Sequence, residues 1–342
     1  MRNLLKRFAL VATLALASMA LAQADRPGEG VTVRPAIAGW DSARPIQAIF
    51  DHLLEELGYD VEPPVLLDNP IFYIAVAQGD VDFWTAGSFP LHNAQLPAGF
   101  FDSASLPGTF IPAGGTQGYL VTKSAAEEFG ITSLEDFKRP EVKAAFDRDG
   151  DGKADLVACP AGWGCETVIE HHLDAYDLRD HVNDIKAQYN VAFADALAAY
   201  RSGQPVLYYT WTPNFTVFQM VPGVDSVWIN VPEIIPNEEQ EGFEEFMVIE
   251  GLEGGVTDPV LMGFVVDDFT TVANNAFLEA NPAATSILEN VTLDVTTVSE
   301  MTVRIVDGED SDRAVAAMAA EWVEANRAHV DAWLDQARAA AN

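Results

Sequence analysis

Cys159 and Cys165 are the only two cysteines in a chain of 342 residues, and they enclose Pro160-Ala-Gly-Trp-Gly164. A lone pair this closely spaced predicts a local staple, not a scaffold of bridges. The stapled loop holds Trp163 between two glycines. Such a loop has little use in a core. It suits a place where backbone and one aromatic face must be presented to a ligand.

A staple needs an oxidising compartment, and the N-terminus points to one. Arg2, Lys6 and Arg7 precede an apolar run from Phe8 to Leu21, followed by two overlapping A-x-A sites, Ala20-Leu-Ala22 and Ala22-Gln-Ala24. That pattern predicts a cleaved signal peptide over 1–24, too short to favour a membrane span. Export as a freely diffusing periplasmic monomer is expected. Without Arg2, Lys6 and Arg7, 16 basic residues face 52 acidic ones, a balance of −36. This argues against nucleic acid and anionic membrane surfaces as partners.

Mature length predicts two domains. Val31–Ile37, Val61–Leu67 and Val81–Thr85 read as strands. Ile46, Ile49, Phe50, Leu53, Leu54 and Leu57 recur at helical spacing, with Asp41 or Ser42 as cap and Gly58 as stop. A second helix candidate spans Ile71–Gln78. Gly114-Gly-Thr-Gln-Gly118 leads into a strand over 118–121 and has the character of a hinge. Further on come a helix from near Glu166, a helix over Phe193–Arg201, a strand over Pro205–Thr210, an acidic surface excursion over Glu238–Gly255 and a returning strand over Leu261–Val266. A helix begins at Asn281-Pro282, and Trp322 and Trp333 are packing residues of alanine-rich terminal helices. The strand–helix alternation implies an α/β protein: two lobes, each a mixed, mostly parallel sheet flanked by helices, joined by hinge strands. The expected division is 25–118 plus 260–342 for one lobe and 119–259 for the other.

Tryptophans carry the functional signal. Trp211 ends a strand before Pro213, Trp163 lies in the stapled loop, and Trp40 follows the first strand. These are positions where open α/β sheets place ligands. A quaternary ammonium has no proton to donate, so π faces must bind it, at about 0.5–2 kcal/mol each. An anionic tail needs donors, and the N–H groups of Gly164 and Cys165 run into a helix start.

The chain resembles the substrate-binding proteins of osmoprotectant ABC importers. The resemblance runs through Leu57-Gly-Tyr-Asp-Val61, Pro90-Leu-His92, Gln117-Gly-Tyr-Leu120, Asp149-Gly-Asp-Gly-Lys-Ala-Asp-Leu156, Gly162-Trp-Gly-Cys-Glu166 and Tyr208-Tyr-Thr-Trp-Thr-Pro213. It implies a type II periplasmic-binding-protein fold and capture of glycine betaine or proline betaine for a permease in the inner membrane. It further implies that Trp163 and Trp211 cage the trimethylammonium group, while His92, Gly164 and Cys165 hold the carboxylate. The family's remaining cage tryptophan falls at Ser88, so Trp40, Trp84 or Phe89 is expected to replace it. A changed ligand, such as choline, trimethylamine N-oxide or dimethylsulfoniopropionate, is the alternative.

Asp147, Asp149, Asp151 and Asp155 resemble the start of a calcium loop, but Ala158 stands where the bidentate glutamate belongs; a solvated acidic turn is the favoured reading. Glu166, Glu170, His171 and His172 lack the H-E-x-x-H pattern. No cofactor is expected. An exported hydrolase is the remote rival, and no G-x-S-x-G occurs to support it.

Overall fold

The computed structural model describes residues 25–341. The expected signal peptide lies outside the described residues.

Two sheets organise the chain. In the first, Asp267–Asn274 is central, paired antiparallel with Phe83–Phe89 on one side and with Ala104–Ser105 and Thr109–Gly115 on the other. The expected strand Val31–Ile37 is broken at Arg34-Pro35 into Thr32–Val33 and Ala36–Ile37. These pair in parallel with Asp60–Val61 and Val65–Leu66. Proline has no N–H for the ladder, which is why the strand divides there. The second sheet runs Val182–Ile185, Ala154–Val157, Leu207–Trp211, Gln117–Thr122, Ser226–Ile229. Its first three strands are parallel, and Gln117–Thr122 is antiparallel to both its neighbours. The α/β architecture with mixed sheets holds. Antiparallel pairing is more extensive than expected, because the strands that carry the chain between sheets run against the others.

The helix Ala43–Glu56 buries Ile46, Ile49, Phe50, Leu53 and Leu54, one stripe at three- and four-residue spacing. Gly58 follows it at φ +94°, a conformation glycine adopts without steric cost. Neither Asp41 nor Ser42 caps its N-terminus with a side-chain hydrogen bond. The terminal helices Asp312–Ala325 and Arg327–Ala340 close over this side of the molecule, with Trp322 stacked on Trp333 at 6.4 Å and Arg327 bridged to Glu56 at 2.6 Å.

The chain crosses from the first sheet to the second at Thr116, the single residue between Thr109–Gly115 and Gln117–Thr122. It returns just before Asp267. The expected strand over Leu261–Val266 is therefore misplaced. Only Val260–Leu261 pairs, with Val248–Ile249 inside the acidic excursion. Met262, Phe264 and Val265 are buried at the crossing, and the ladder runs through Asp267–Asn274 instead. The first crossing is tied to the end of the strand Leu207–Trp211. Thr212 N–H donates to the Thr116 carbonyl at 2.9 Å, Thr116 N–H to Thr212 Oγ1 at 3.1 Å, and Thr212 Oγ1 to the Gly114 carbonyl at 2.6 Å.

Candidate functional site

Between the sheets lies a cleft lined by Trp40, Ser88 and His92 from one side and Trp163, Gly164, Cys165 and Trp211 from the other. The bridge between Cys159 and Cys165 is formed, with Cα atoms 5.9 Å apart. It leads directly into the helix Gly164–Ala175. That helix has no side-chain cap from Trp163, and the N–H groups of Gly164 and Cys165 donate to no acceptor among the described residues. They are open donors at the positive end of a helix dipole. Glu166 reaches back instead to the Gly162 N–H at 2.7 Å, and its other oxygen meets Lys186 at 2.9 Å, so its carboxylate fixes the loop.

The rings meet edge to face. Trp163 lies 5.2 Å from Trp40 at 71° and 5.5 Å from Trp211 at 85°. Trp211 rests on Tyr209 and Tyr189 at 5.9 and 4.8 Å. Three indoles, two from loops and one from a strand end, thus present faces at steep angles around one space. Trp84 does not join them. It is fully buried behind Trp40, stacked on Phe72 at 3.7 Å, and is corrected from cage candidate to core residue. The register of this strand shifts between Gly87 and Trp84, so alternation does not carry Ser88's face back to Trp84. Phe89 packs on Tyr73 and His92, outside the cleft lining.

His92 is buried and its ring is held neutral, its pKa brought down to about 3 by desolvation. The Tyr73 hydroxyl lies 2.7 Å and the Ser88 N–H 3.3 Å from Nδ1, and the Asn69 amide lies 3.0 Å from Nε2. The imidazole is locked by its own side of the cleft and turns Cδ2 towards Gly164.

Ser88 is buried, its hydroxyl donating to Asp267 Oδ2 at 2.9 Å. Asp267 also accepts from Leu91 N–H at 3.2 Å and from Gln117 Nε2, and Gln117 Oε1 accepts from the Tyr209 hydroxyl at 2.6 Å. This chain of polar groups runs from Ser88 through both crossings to the second sheet. Sequence reasoning gave no role to Gln117, Tyr209, Leu91, Phe269 or Asp267. Only Tyr209 left a signal: two residues before Trp211 on a strand, it must share that face.

Burial raises the Asp267 carboxyl to about 8, against the opposing pull of its donors. A carboxyl raised above its unfolded pKa of about 4 contributes stability below that value, and the contribution is lost as pH rises towards 8. Asp267→Asn can keep the network by inverting it, with Ser88 accepting and the Gln117 amide turned over. Its unfolding free energy is expected to lack the wild-type decline of up to about 1.4 kcal/mol per pH unit between about pH 5 and 8. Denaturant titrations across that range test this; parallel profiles would show that Asp267 does not titrate there.

Asp147, Asp149 and Asp151 bring carboxylate oxygens within 4.8 Å of one another. Asp155 is not among them. It is buried and turned to Arg148 and Asn183. The three accept backbone N–H bonds within their own turn, as from Gly150 to Asp147 at 2.7 Å. Glu166 and Glu170 share Lys186, while His171 meets the Ile235 carbonyl and His172 meets Tyr119 and Gly263, so these four form no ligand set.

A family model described as the substrate-binding domain of ABC-type glycine betaine transport systems matches residues 31–325. The chain is 34% identical over 342 residues to the glycine betaine-binding periplasmic protein OusX of Dickeya dadantii, covering 100% of both. It is 34% identical over 319 residues to a glycine betaine/proline betaine-binding periplasmic protein of Salmonella typhimurium, covering 93% of each. Among solved structures, the glycine betaine/L-proline-binding protein of Borrelia burgdorferi superposes with a TM-score of 0.69 at 16% identity, over 91% of this chain and 100% of that one. Lactococcal OpuAC, in its closed conformation with glycine betaine, gives 0.66 at 18% identity over 89% and 99%. The two-lobed fold of type II periplasmic binding proteins is shared with them.

Proposed function

The chain belongs to the family of substrate-binding domains of ABC-type glycine betaine transport systems, and from that premise we propose that it closes on a quaternary ammonium osmolyte, glycine betaine or proline betaine, and delivers it to a membrane permease. The single observation that carries this reading is the set of three steeply inclined indoles beside two open helix N–H groups. The indoles of Trp40, Trp163 and Trp211 receive the methylated cation. The N–H groups of Gly164 and Cys165 receive the carboxylate, with the neutral His92 ring beside them. Trp40 supplies the π face that Ser88 does not. The protein works as a periplasmic monomer and carries out no catalytic step. The lobes are taken as 25–118 with 260–342, and 119–259; the pairing of Val260–Leu261 with Val248–Ile249 favours moving the second boundary to just before Asp267. Ligand bridging both lobes favours the closed form by its differential affinity for that form.

A second reading, choline, trimethylamine N-oxide or dimethylsulfoniopropionate in the same cleft, follows from Ser88. A hydroxyl lines the cleft where the resembled family carries an indole. Calorimetry with all five ligands separates the readings: one should bind in the micromolar class, about −8 kcal/mol, and no binding by any would overturn both.

Ser88→Trp is expected to lower affinity about tenfold and to lower the melting temperature. The larger ring breaks the bond to Asp267 and enters a wall that Trp40 already completes. A rise in affinity, read by the same calorimetry, would mean that the wall is open there.

A further inference from the structure

A side-chain contact joins the two sides of the cleft without lining it. Gln95, half-buried, ends the short 3-10 helix Leu91–Gln95 that carries His92. Its Nε2 donates to the Gly162 carbonyl of the stapled loop at 3.2 Å. Its Oε1 accepts from the Asn69 amide nitrogen at 3.0 Å. The same Asn69 nitrogen lies 3.0 Å from His92 Nε2. Asn69 is buried, the first residue of the helix Asn69–Gln78. Gly162 is held from behind, its N–H on Glu166 at 2.7 Å. An unbroken line of polar contacts thus runs from the stapled loop to the histidine that faces it.

A carbonyl can only accept, so the line has one direction. Gly162 takes a hydrogen from Gln95. That leaves the Gln95 oxygen facing Asn69, and requires the Asn69 NH2 group to face both Gln95 and His92. His92 Nε2 must then accept. The ring is neutral because it is buried, and it keeps its one hydrogen on Nδ1. Another neighbour pulls the other way. Ser88 N–H points at Nδ1 from 3.3 Å and is satisfied only if Nδ1 is bare. The Tyr73 hydroxyl, 2.7 Å from Nδ1, can donate or accept and favours neither tautomer. Two donors therefore compete for the single acceptor nitrogen of a neutral imidazole. The Gly162 carbonyl decides between them, and it stands across the cleft. Once the two sides part, Gln95 and Asn69 are free to turn their amides over, and Ser88 N–H gains Nδ1.

We propose that Gln95 is a positioning residue for ligand capture: it latches the stapled loop in the closed form and thereby holds His92 as the Nδ1–H tautomer, which opening reverses. This role rests on the closing motion proposed above. The bond to Gly162 exists only when the cleft is closed, so it slows release and leaves capture nearly unchanged.

Gln95→Met, similar in volume but without donor or amide oxygen, tests both halves of the proposal. Stopped-flow tryptophan fluorescence with glycine betaine should show dissociation about three- to tenfold faster, with association within about twofold. In the ligand-saturated protein, 15N resonances of the imidazole distinguish a protonated ring nitrogen from a bare one, and His92 is identified by its absence from spectra of His92→Gln. Wild type should carry its hydrogen on Nδ1, and Gln95→Met should move towards the Nε2–H form. Gln95→Glu separates the halves. Its carboxylate still accepts from Asn69 but meets the Gly162 carbonyl as a second acceptor, so release should be faster still while Nδ1–H persists. A circular dichroism melt of the ligand-free variants checks the fold. A wild-type dissociation rate in Gln95→Met, or a His92 tautomer that Gln95→Met leaves unchanged, would overturn the proposal. Should glycine betaine fail to bind, the cleft reading falls, and the ligand-free protein decides the latch: wild type and Gln95→Met must still differ at His92, and identical spectra overturn it.

Discussion

Trp163→Ala is expected to weaken ligand binding about a hundredfold, close to 2.7 kcal/mol. Two losses add. One is its own π face towards the cation, worth up to about 2 kcal/mol in a desolvated site. The other is the edge-to-face support it gives Trp40 and Trp211, each such pair worth about 0.5–1.5 kcal/mol beyond area. Without Trp163 the remaining indoles lose the partner that fixes their inclination. Trp163→Phe should recover part of the loss, and Trp211→Ala should cost about tenfold. Calorimetry reads all three. An affinity unchanged in Trp163→Ala would remove the aromatic cage from the account.

Gly164→Ala is expected to cost about ten- to a hundredfold in affinity with little change in the stability of the ligand-free protein. The glycine is not needed for its backbone, since the first position of a helix accepts alanine. It is needed for space. A Cβ there would stand 2.8 Å from His92 Cδ2 and 3.0 Å from Leu91 Cγ, both across the cleft. His92 cannot step aside, because Tyr73, Ser88 and Asn69 hold its ring. The lobes must instead part by a fraction of an ångström, and the penalty falls on the closed form alone. Scattering of the ligand-saturated variant should show a larger radius of gyration than wild type. A normal affinity would mean that the lobes need not meet at this point.

How much of this was legible beforehand follows from the range of each signal. The stapled loop, the strand end at Trp211 and the loop after the first strand are local features. They placed Trp163, Gly164, Cys165, Trp211 and Trp40 at the cleft before any fold was known. Trp84 misled because nearness in sequence to His92 does not reveal that the strand shifts register between Gly87 and Trp84 and that Trp84 is buried against Phe72. Asp267, Gln117 and Phe269 were silent. Their meeting depends on the register of Asp267–Asn274 between Phe83–Phe89 and Thr109–Gly115, pairings across more than 150 residues. That central strand carries Thr270 and Thr271 in place of a clean apolar alternation, and the more hydrophobic Leu261–Val266 before it drew the assignment instead. Asp155 shares the spacing of an acidic loop, yet lies on the strand Ala154–Val157 and turns inward.

The bridge between Cys159 and Cys165 has a kinetic consequence. On the second lobe it joins into one covalent unit Trp163, proposed to face the cation, and the two N–H groups proposed to hold the anion, with Trp211 alongside. The first lobe contributes Trp40 and a histidine whose nitrogens are already engaged. When the lobes separate, both ends of the proposed ligand keep their contacts on one side only. The open protein is then a half-socket already shaped for the whole ligand, so residence time divides into two clocks: the opening rate of the hinge at Thr116, and a short dwell on the second lobe during which re-closure competes with escape. Reducing the disulfide should shorten the second clock and leave the first untouched.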